Sequence, residues 1–253
     1  MRLNTRPREA TEVDAPKSYD AWHSQFDVDI EANSPWHRMV RANISEWDLA
    51  AKNVLEIGCG RGGFSCWLAR QPFTPNRIVA TDLSGTAVEK GERFAGGLNL
   101  GGIEWQVGDI QAIRHEDASF DTIVSCETIE HVPDPRKALA ELSRVLKPGG
   151  RLFLTTPNYF GIMGLYRLYF SLRGRTFTEE GQPINNFLLL PLTRHWVRSA
   201  GLRITSSTSL GFYLPFPGRP MLNMAFLERL GILRYWFGVH SLIVAEKTPS
   251  RSD

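Results

Sequence analysis

The chain has 253 residues, 42% of them hydrophobic, which suits one large domain with a substantial core. Its 29 Lys and Arg against 27 Asp and Glu leave a net charge of +2 with no block of like charge, which argues against a nucleic-acid-binding surface. Three cysteines, Cys59, Cys66 and Cys126, are too few for a disulfide framework and form no C-x-x-C, so a reducing, cytoplasmic setting is expected. Residues 1–18 mix charges with Pro7 and Pro16 and are expected to be disordered, with no apolar signal-peptide core. No stretch reaches the roughly 18 uninterrupted apolar residues of a membrane span. The remainder, 19–253, reads as a single domain. Within 19–49, Tyr19, Trp22 and Phe26 precede Trp36, Met39, Val40, Ile44 and Trp47. The second set predicts an amphipathic helix opened by Pro35. It either packs on a sheet edge or forms a lid over a bound ligand.

From Asn53 onward strand and helix signals alternate. Residues 54–57 form a short apolar strand, followed by Gly58, Gly60, Gly62 and Gly63 and then a helix over 64–69. Residues 77–82 are a second strand ending in Asp82, and 84–95 a helix capped by Ser84 with Glu89 and Lys90 on its outer face. Residues 103–107 and 120–126 are further strands. Asp134 caps a helix over 135–146 whose inner face is Ala138, Leu139, Leu142 and Val145. Lys147-Pro148-Gly149-Gly150 stops that helix, and 151–156 is a fifth strand. Such alternation predicts a parallel sheet with helices on both faces and a ligand at the carboxyl ends of its strands.

The glycine loop alone admits two ligands. Gly58, Gly60 and Gly63 fit the G-x-G-x-x-G of dinucleotide binders. Glu56, Gly58, Gly60 and Gly62 fit E-x-G-x-G-x-G, which suits a ligand with an amino-acid head and a sulfonium cation, because a pyrophosphate disfavours a nearby carboxylate. Asp82 can accept both ribose hydroxyls or simply charge a helix N-terminus. Asp109 can accept from an adenine amine or act as a turn aspartate.

Five motifs then occur in a telling order: 54–63, Thr81-Asp82-Leu83-Ser84, Gly108-Asp109-Ile110, 120–124 and 146–150. Together they resemble the class I S-adenosylmethionine-dependent methyltransferases across roughly residues 50–157, and 239–247 looks like that family's last strand. The resemblance implies a Rossmann-like, seven-stranded, mostly parallel α/β sheet with an antiparallel last strand. It implies S-adenosyl-L-methionine as cofactor, bound by Glu56, Gly58, Cys59, Gly60, Gly62, Asp82, Leu83, Asp109, Ile110 and Cys126. Within that set Glu56 and the backbone near Gly58 hold the methionine end, Asp82 the ribose, and Asp109 with Ile110 the adenine.

After the fourth strand, Glu127, Glu130 and His131 form E-x-x-E-H, which shares one face if the turn is helical. Such a set can hold a divalent cation such as Mg, with all three as ligands, or provide catalytic residues in which His131 is a general base helped by Glu127 or Glu130. The pentad is similar to that of ubiquinone-biosynthesis-type O-methyltransferases and of small-RNA 2′-O-methyltransferases, both linked to a divalent ion. Many metal-free relatives keep the His, and the chain lacks the basic surface of the RNA group. The apolar segments 158–191 and 210–238 are read as acceptor-side insertions that wall a pocket, form a homodimer interface, or contact a membrane peripherally. His195 lies on a helix before a sixth strand expected over 202–209; it reads foremost as a surface or capping residue, and otherwise as a further ligand or base reaching the pocket. The reading that follows is an O-methyltransferase for a small or lipid-like acceptor. A nicotinamide-dependent oxidoreductase and a non-catalytic cofactor-binding relative are the rivals.

Overall fold

The computed structural model describes residues 3–4, 14–29, 31–174, 178–179, 182–214 and 222–248. The chain leads in through α1 (Ala15–Ser24), α2 (Pro35–Arg41) and α3 (Glu46–Leu49). The five apolar runs then become strands β1 (Asn53–Ile57), β2 (Arg77–Asp82), β3 (Ile103–Val107), β4 (Phe120–Cys126) and β5 (Leu146–Pro157). Helices α4 (Gly63–Ala69), α5 (Gly85–Gly97) and α6 (Pro135–Val145) follow β1, β2 and β4. After β5 come α7 (Ile162–Leu172) and α8 (Leu190–Ser199), then β6 (Leu202–Leu210), α9 (Gly231–Trp236) and β7 (His240–Lys247).

The strands form one seven-stranded sheet in the order β3-β2-β1-β4-β5-β7-β6. β7 lies antiparallel between β5 and β6, and the pairings among the first five strands are parallel. Helices cover both faces, so the central strands are near-continuously apolar; Val54, Leu55, Val79, Ile123, Val124 and Leu152 are fully buried. The strand order reverses between β1 and β4, which opens a crevice outside their carboxyl ends. Among the described residues, no helix is long and apolar enough to cross a membrane.

Four details depart from the sequence reading. Residues 15–18 are helical, capped by the Asp14 side chain, and Leu3–Asn4 pairs with Thr178–Glu179. Residues 1–2 and 5–13 of the stretch expected to be disordered lie outside the described residues, as do Pro215, Pro217 and Pro220. The single helix expected from Pro35 through Trp47 is instead α2 and α3. Ser45 and Asp48 make a capping box that starts a new helix, and Trp47 is left 75% exposed rather than on an inner face. β5 starts at Leu146, directly after α6, so Lys147 to Gly150 is strand and not a loop; a register shift against β4 and the positive φ of Gly149 (77°) absorb the Pro-Gly-Gly.

Lys90 is the fourth. Its ammonium does not face solvent but donates to the carbonyls of His23 (2.9 Å), Ser24 (3.1 Å) and Phe26 (2.8 Å), capping the exit of α1. Farther back on α1, Asp20 Oδ1 accepts from Ser84 Oγ (2.6 Å) and Thr86 N (2.9 Å) at the start of α5. A carboxylate there complements the helix dipole. These two polar clamps hold α1 against α5, above the crevice.

Candidate active site

The crevice is a cavity of about 220 Å³ at the carboxyl ends of β1 to β4. Gly58, Cys59, Gly60, Asp82, Leu83, Asp109, Ile110 and Cys126 all line it, together with Glu127 and His131. Glu56, Gly62 and Glu130 do not. Glu56 lies behind the glycine loop, fully buried, and accepts a hydrogen bond from Ser65 Oγ on α4. Gly62, at φ 77°, leaves room for a neighbour rather than a ligand: a Cβ there would lie 2.3 Å from the Trp105 ring, which packs equally close to Gly91.

Asp82 ties the site together. Its Oδ2 accepts from Gly60 N (2.8 Å) and its Oδ1 from Ser84 N (2.9 Å), so one carboxylate fixes both the glycine loop and the start of α5. Each oxygen keeps a further lone pair for a donor in the cavity. Asp109 braces its own turn by accepting from Gln111 N (2.8 Å), and it also faces the cavity. The turn reading is observed, and the cavity position leaves the adenine reading open to test.

The N-terminal segment supplies the opposite wall with Tyr19, Trp22, His23, Asp29, Trp36 and His37. Arg61 Nη1 donates to His23 Nδ1 (3.0 Å), which leaves the proton of the neutral ring on Nε2, 3.9 Å from Asp82 Oδ1. Burial pulls the His23 pKa down despite the nearby Asp82. His37 stacks on Phe64 at 5.1 Å, and burial lowers its pKa to about 4. Cys59 and Cys126 are buried thiols whose pKa values are pushed well up by burial, so neither is a nucleophile.

The E-x-x-E-H pentad does not share a face. Glu127 takes a left-handed backbone (φ 49°), and only Ile129–His131 is helical, as a 3-10 turn. Glu130 turns inward, where its Oε2 accepts from Thr156 Oγ1 (3.2 Å) and its Oε1 lies 3.6 Å from His131 Nε2. Glu127 points away, with Oε2 3.8 Å from His240 Nδ1. Among the described residues, no three His, Cys, Asp or Glu side chains gather so as to hold a metal ion. The expected metal set of Glu127, Glu130 and His131 is not assembled. His131 Nδ1 lies 2.6 Å from the Ile184 carbonyl, which can only accept, so Nδ1 carries the proton. Nε2 is then a bare acceptor, buried and without a hydrogen-bond partner. Burial lowers the His131 pKa to about 4, outweighing the Ile184 bond that favours the charged ring.

A second cavity, of about 630 Å³, lies beside the first. Tyr159, Phe160 and Leu165 from one insertion meet Phe212, Leu227 and Phe237 from the other, and among the described residues no charged side chain lines it. His195 is exposed on α8 and lines neither cavity.

Residues 55–154 match a family model described as a methyltransferase domain. A ubiquinone biosynthesis O-methyltransferase of Xanthomonas oryzae pv. oryzae is 30% identical over 181 residues, covering 70% of this chain and 72% of that one. The chain belongs to the class I S-adenosylmethionine-dependent methyltransferases. An uncharacterized 37.1 kDa protein in a transposon of Streptomyces fradiae is 37% identical over 108 residues, 43% of this chain, and the chain spans only 31% of its length. An S-adenosylmethionine-dependent methyltransferase structure from Mesorhizobium loti superposes with a TM-score of 0.60 over 85% of this chain and 98% of that one; at 14% identity the likeness is one of fold.

The methyltransferase assignment agrees with the site. A dinucleotide pyrophosphate would need the N-terminus of α4, but the Asp29 carbonyl fills that space: a Cβ on Gly63 would lie 2.2 Å from it. The sequence reading marked Tyr19 and Trp22 as helix-spaced aromatics and gave the Trp36 helix as a sheet-edge element or a lid over the ligand; Trp36 lines the cavity. It missed His23, Asp29 and His37, which carry no motif, and Arg61, a variable position of the glycine loop.

The buried groups give the methyltransferase a defined pH dependence. His37 and His131 bind protons in the unfolded chain below their ordinary value of 6.5 but resist them in the fold until about 4. Their effect is therefore a loss of stability as pH falls across that window. Glu56 has the opposite sign. Burial raises it from 4.5 to about 8, so the folded state keeps a proton that the unfolded chain loses, and this contribution is lost as pH rises from 4.5 to about 8. Between 4.5 and 6.5 the two histidines outweigh it, so thermal melts of the wild type should peak near pH 6.5 and decline from there to about 8. Glu56→Gln, which fixes the neutral form, should flatten the decline between 6.5 and about 8; an unaltered decline would locate its origin elsewhere.

Proposed function

We propose that this methyltransferase places a methyl group on a hydroxyl of a small or lipid-like acceptor, with His131 as general base. The observation that carries the reading is His131 in the wall of the cavity, with a bare, buried Nε2 and a tautomer set by Ile184. S-adenosylmethionine, when bound, supplies a methyl group already activated by its sulfonium. Asp82 would hold the ribose, Asp109 with Ile110 the adenine, and the backbone near Gly58 the methionine end. Glu56 braces that loop from behind. The acceptor oxygen has to sit in line with the methyl group at roughly 3 Å. Its proton passes to His131 Nε2, where the resulting imidazolium has Ile184 O on one side and Glu130 on the other.

The apolar cavity beside this site supports an acceptor with an apolar body. The donor set does not fit a divalent ion, and no step is assigned to one. The test is transfer of labelled methyl from S-adenosylmethionine to a panel of alkylphenols, alkyl alcohols and alkylamines, with and without chelator. Label on oxygen, unaffected by chelation, is the expected result. Label confined to nitrogen or carbon, or transfer abolished by chelator and restored by Mg, would overturn the reading.

A further inference from the structure

The wall between the two cavities holds an arrangement that the proposed base does not use. Glu127 lines the cofactor cavity, and its carboxylate reaches toward His240, the first residue of β7. The residue before His240, Val239, lines the apolar cavity. Trp36, from the cofactor side, lies 5.5 Å from the His240 ring. The pair thus stands where one cavity gives way to the other.

The pair is also incomplete. Glu127 Oε2 and His240 Nδ1 are 3.8 Å apart, too far for a hydrogen bond. Glu127 Oε1 and His240 Nδ1 are both buried atoms without a hydrogen-bond partner. Buried polar atoms in native proteins are almost always paired, and the exceptions ask for an explanation. Glu127 is moreover held in a left-handed conformation that favours glycine, pinned by its N–H donating to Thr155 O (3.1 Å) and Thr155 Oγ1 (3.2 Å). A strained backbone that aims an unpartnered carboxylate at a cavity wall is the kind of feature that function retains.

We propose that Glu127 and His240 form a hydroxyl-binding pair that seats the polar end of an acceptor whose apolar body occupies the larger cavity. A hydroxyl between them donates to Glu127 Oε1 and accepts from the N–H at His240 Nδ1, which satisfies both atoms. An alkyl or aromatic body then extends past Val239 among Tyr159, Phe212, Leu227 and Phe237. The inference rests on the methyl-transfer reading of the neighbouring cavity, but it concerns recognition and not proton transfer.

The experiment is calorimetric binding of 4-butylphenol and of butylbenzene to the full chain, with S-adenosylhomocysteine present. The wild type should bind the phenol about 10–100-fold more tightly, as expected for a hydrogen bond to a charged group. Glu127→Gly and His240→Leu should reduce that preference to below about threefold and leave butylbenzene unaffected, while Glu127→Gln keeps an intermediate preference. Glu127→Gly should also melt at or above the wild-type temperature, because glycine takes a positive φ without strain. That separates loss of recognition from loss of fold. Equal binding of the two probes, no binding of the phenol, or a preference that survives Glu127→Gly would overturn the proposal. Failure of the methyl-transfer reading would show instead as absent label transfer, which this binding assay does not measure.

Discussion

Replacing His131 by alanine is expected to lower single-turnover methyl transfer by about 10²–10⁴-fold, the range of positioned general bases, and to change cofactor affinity by less than about threefold. The split follows from where the side chain stands. His131 lines the cavity through a ring whose Nδ1 is committed to Ile184 O, so only Nε2 is left to take a proton. No cofactor-holding residue hydrogen-bonds that ring. With a pKa near 4 in the empty site, the ring stays unprotonated throughout the neutral range. The acid limb of kcat/KM should accordingly fall near pH 4 rather than at the ordinary 6.5, and His131→Ala should lack it. A base held so low is weak before it acts. Glu130 Oε1, 3.6 Å away, becomes a partner as the ring acquires charge, so the proton transfer improves its own surroundings. Full turnover in His131→Ala would remove the residue from the mechanism.

Asp82→Ala should raise the dissociation constant for S-adenosylmethionine by about 100-fold or more in calorimetry. Two losses combine. The proposed ribose acceptor disappears, and hydrogen bonds to a charged group are worth about 1.5–3 kcal/mol each. The N–H groups of Gly60 and Ser84 also lose their common acceptor, so the glycine loop and the start of α5 are no longer held in register. Stability should fall as well, because orphaning a buried donor costs about 1–3 kcal/mol. Asp82→Asn loses less. Its single amide oxygen can accept from only one of Gly60 N and Ser84 N and its NH2 faces the other donor, so it should lose about 1–3 kcal/mol of stability and bind the cofactor about tenfold more weakly. Binding within about threefold of wild type in both variants would end the ribose assignment.

The sheet was legible because buried parallel strands are apolar runs between turn residues, and 77–82, 103–107 and 120–126 are found where that pattern placed them. Asp82 was legible because a strand tip in such a sheet faces the crevice wherever the fold is right. Spacing failed where it assumed a local geometry. E-x-x-E-H converges only on a continuous helix, and the left-handed Glu127 breaks it one residue after β4. E-x-G-x-G-x-G fixes which residues lie near the loop but not which side of it they face. Gly62 was therefore read as a ligand contact when its neighbour is Trp105. Lys90, His23 and Arg61 were illegible for another reason. Each works on a partner far away in the chain, and nothing near it in sequence signals that partner.

The two cavities differ in their origin along the chain. Among the described residues, the smaller is lined from residues 19–132 apart from Gln182, and the larger from residues 159–239. On the acceptor reading proposed above, mutational drift in the later block would remodel what is methylated while leaving most of the donor cavity as it is. A lineage built this way would diversify its products while inheriting its reagent, and Gln182, Ile184 and His240 are among the places where the two histories meet.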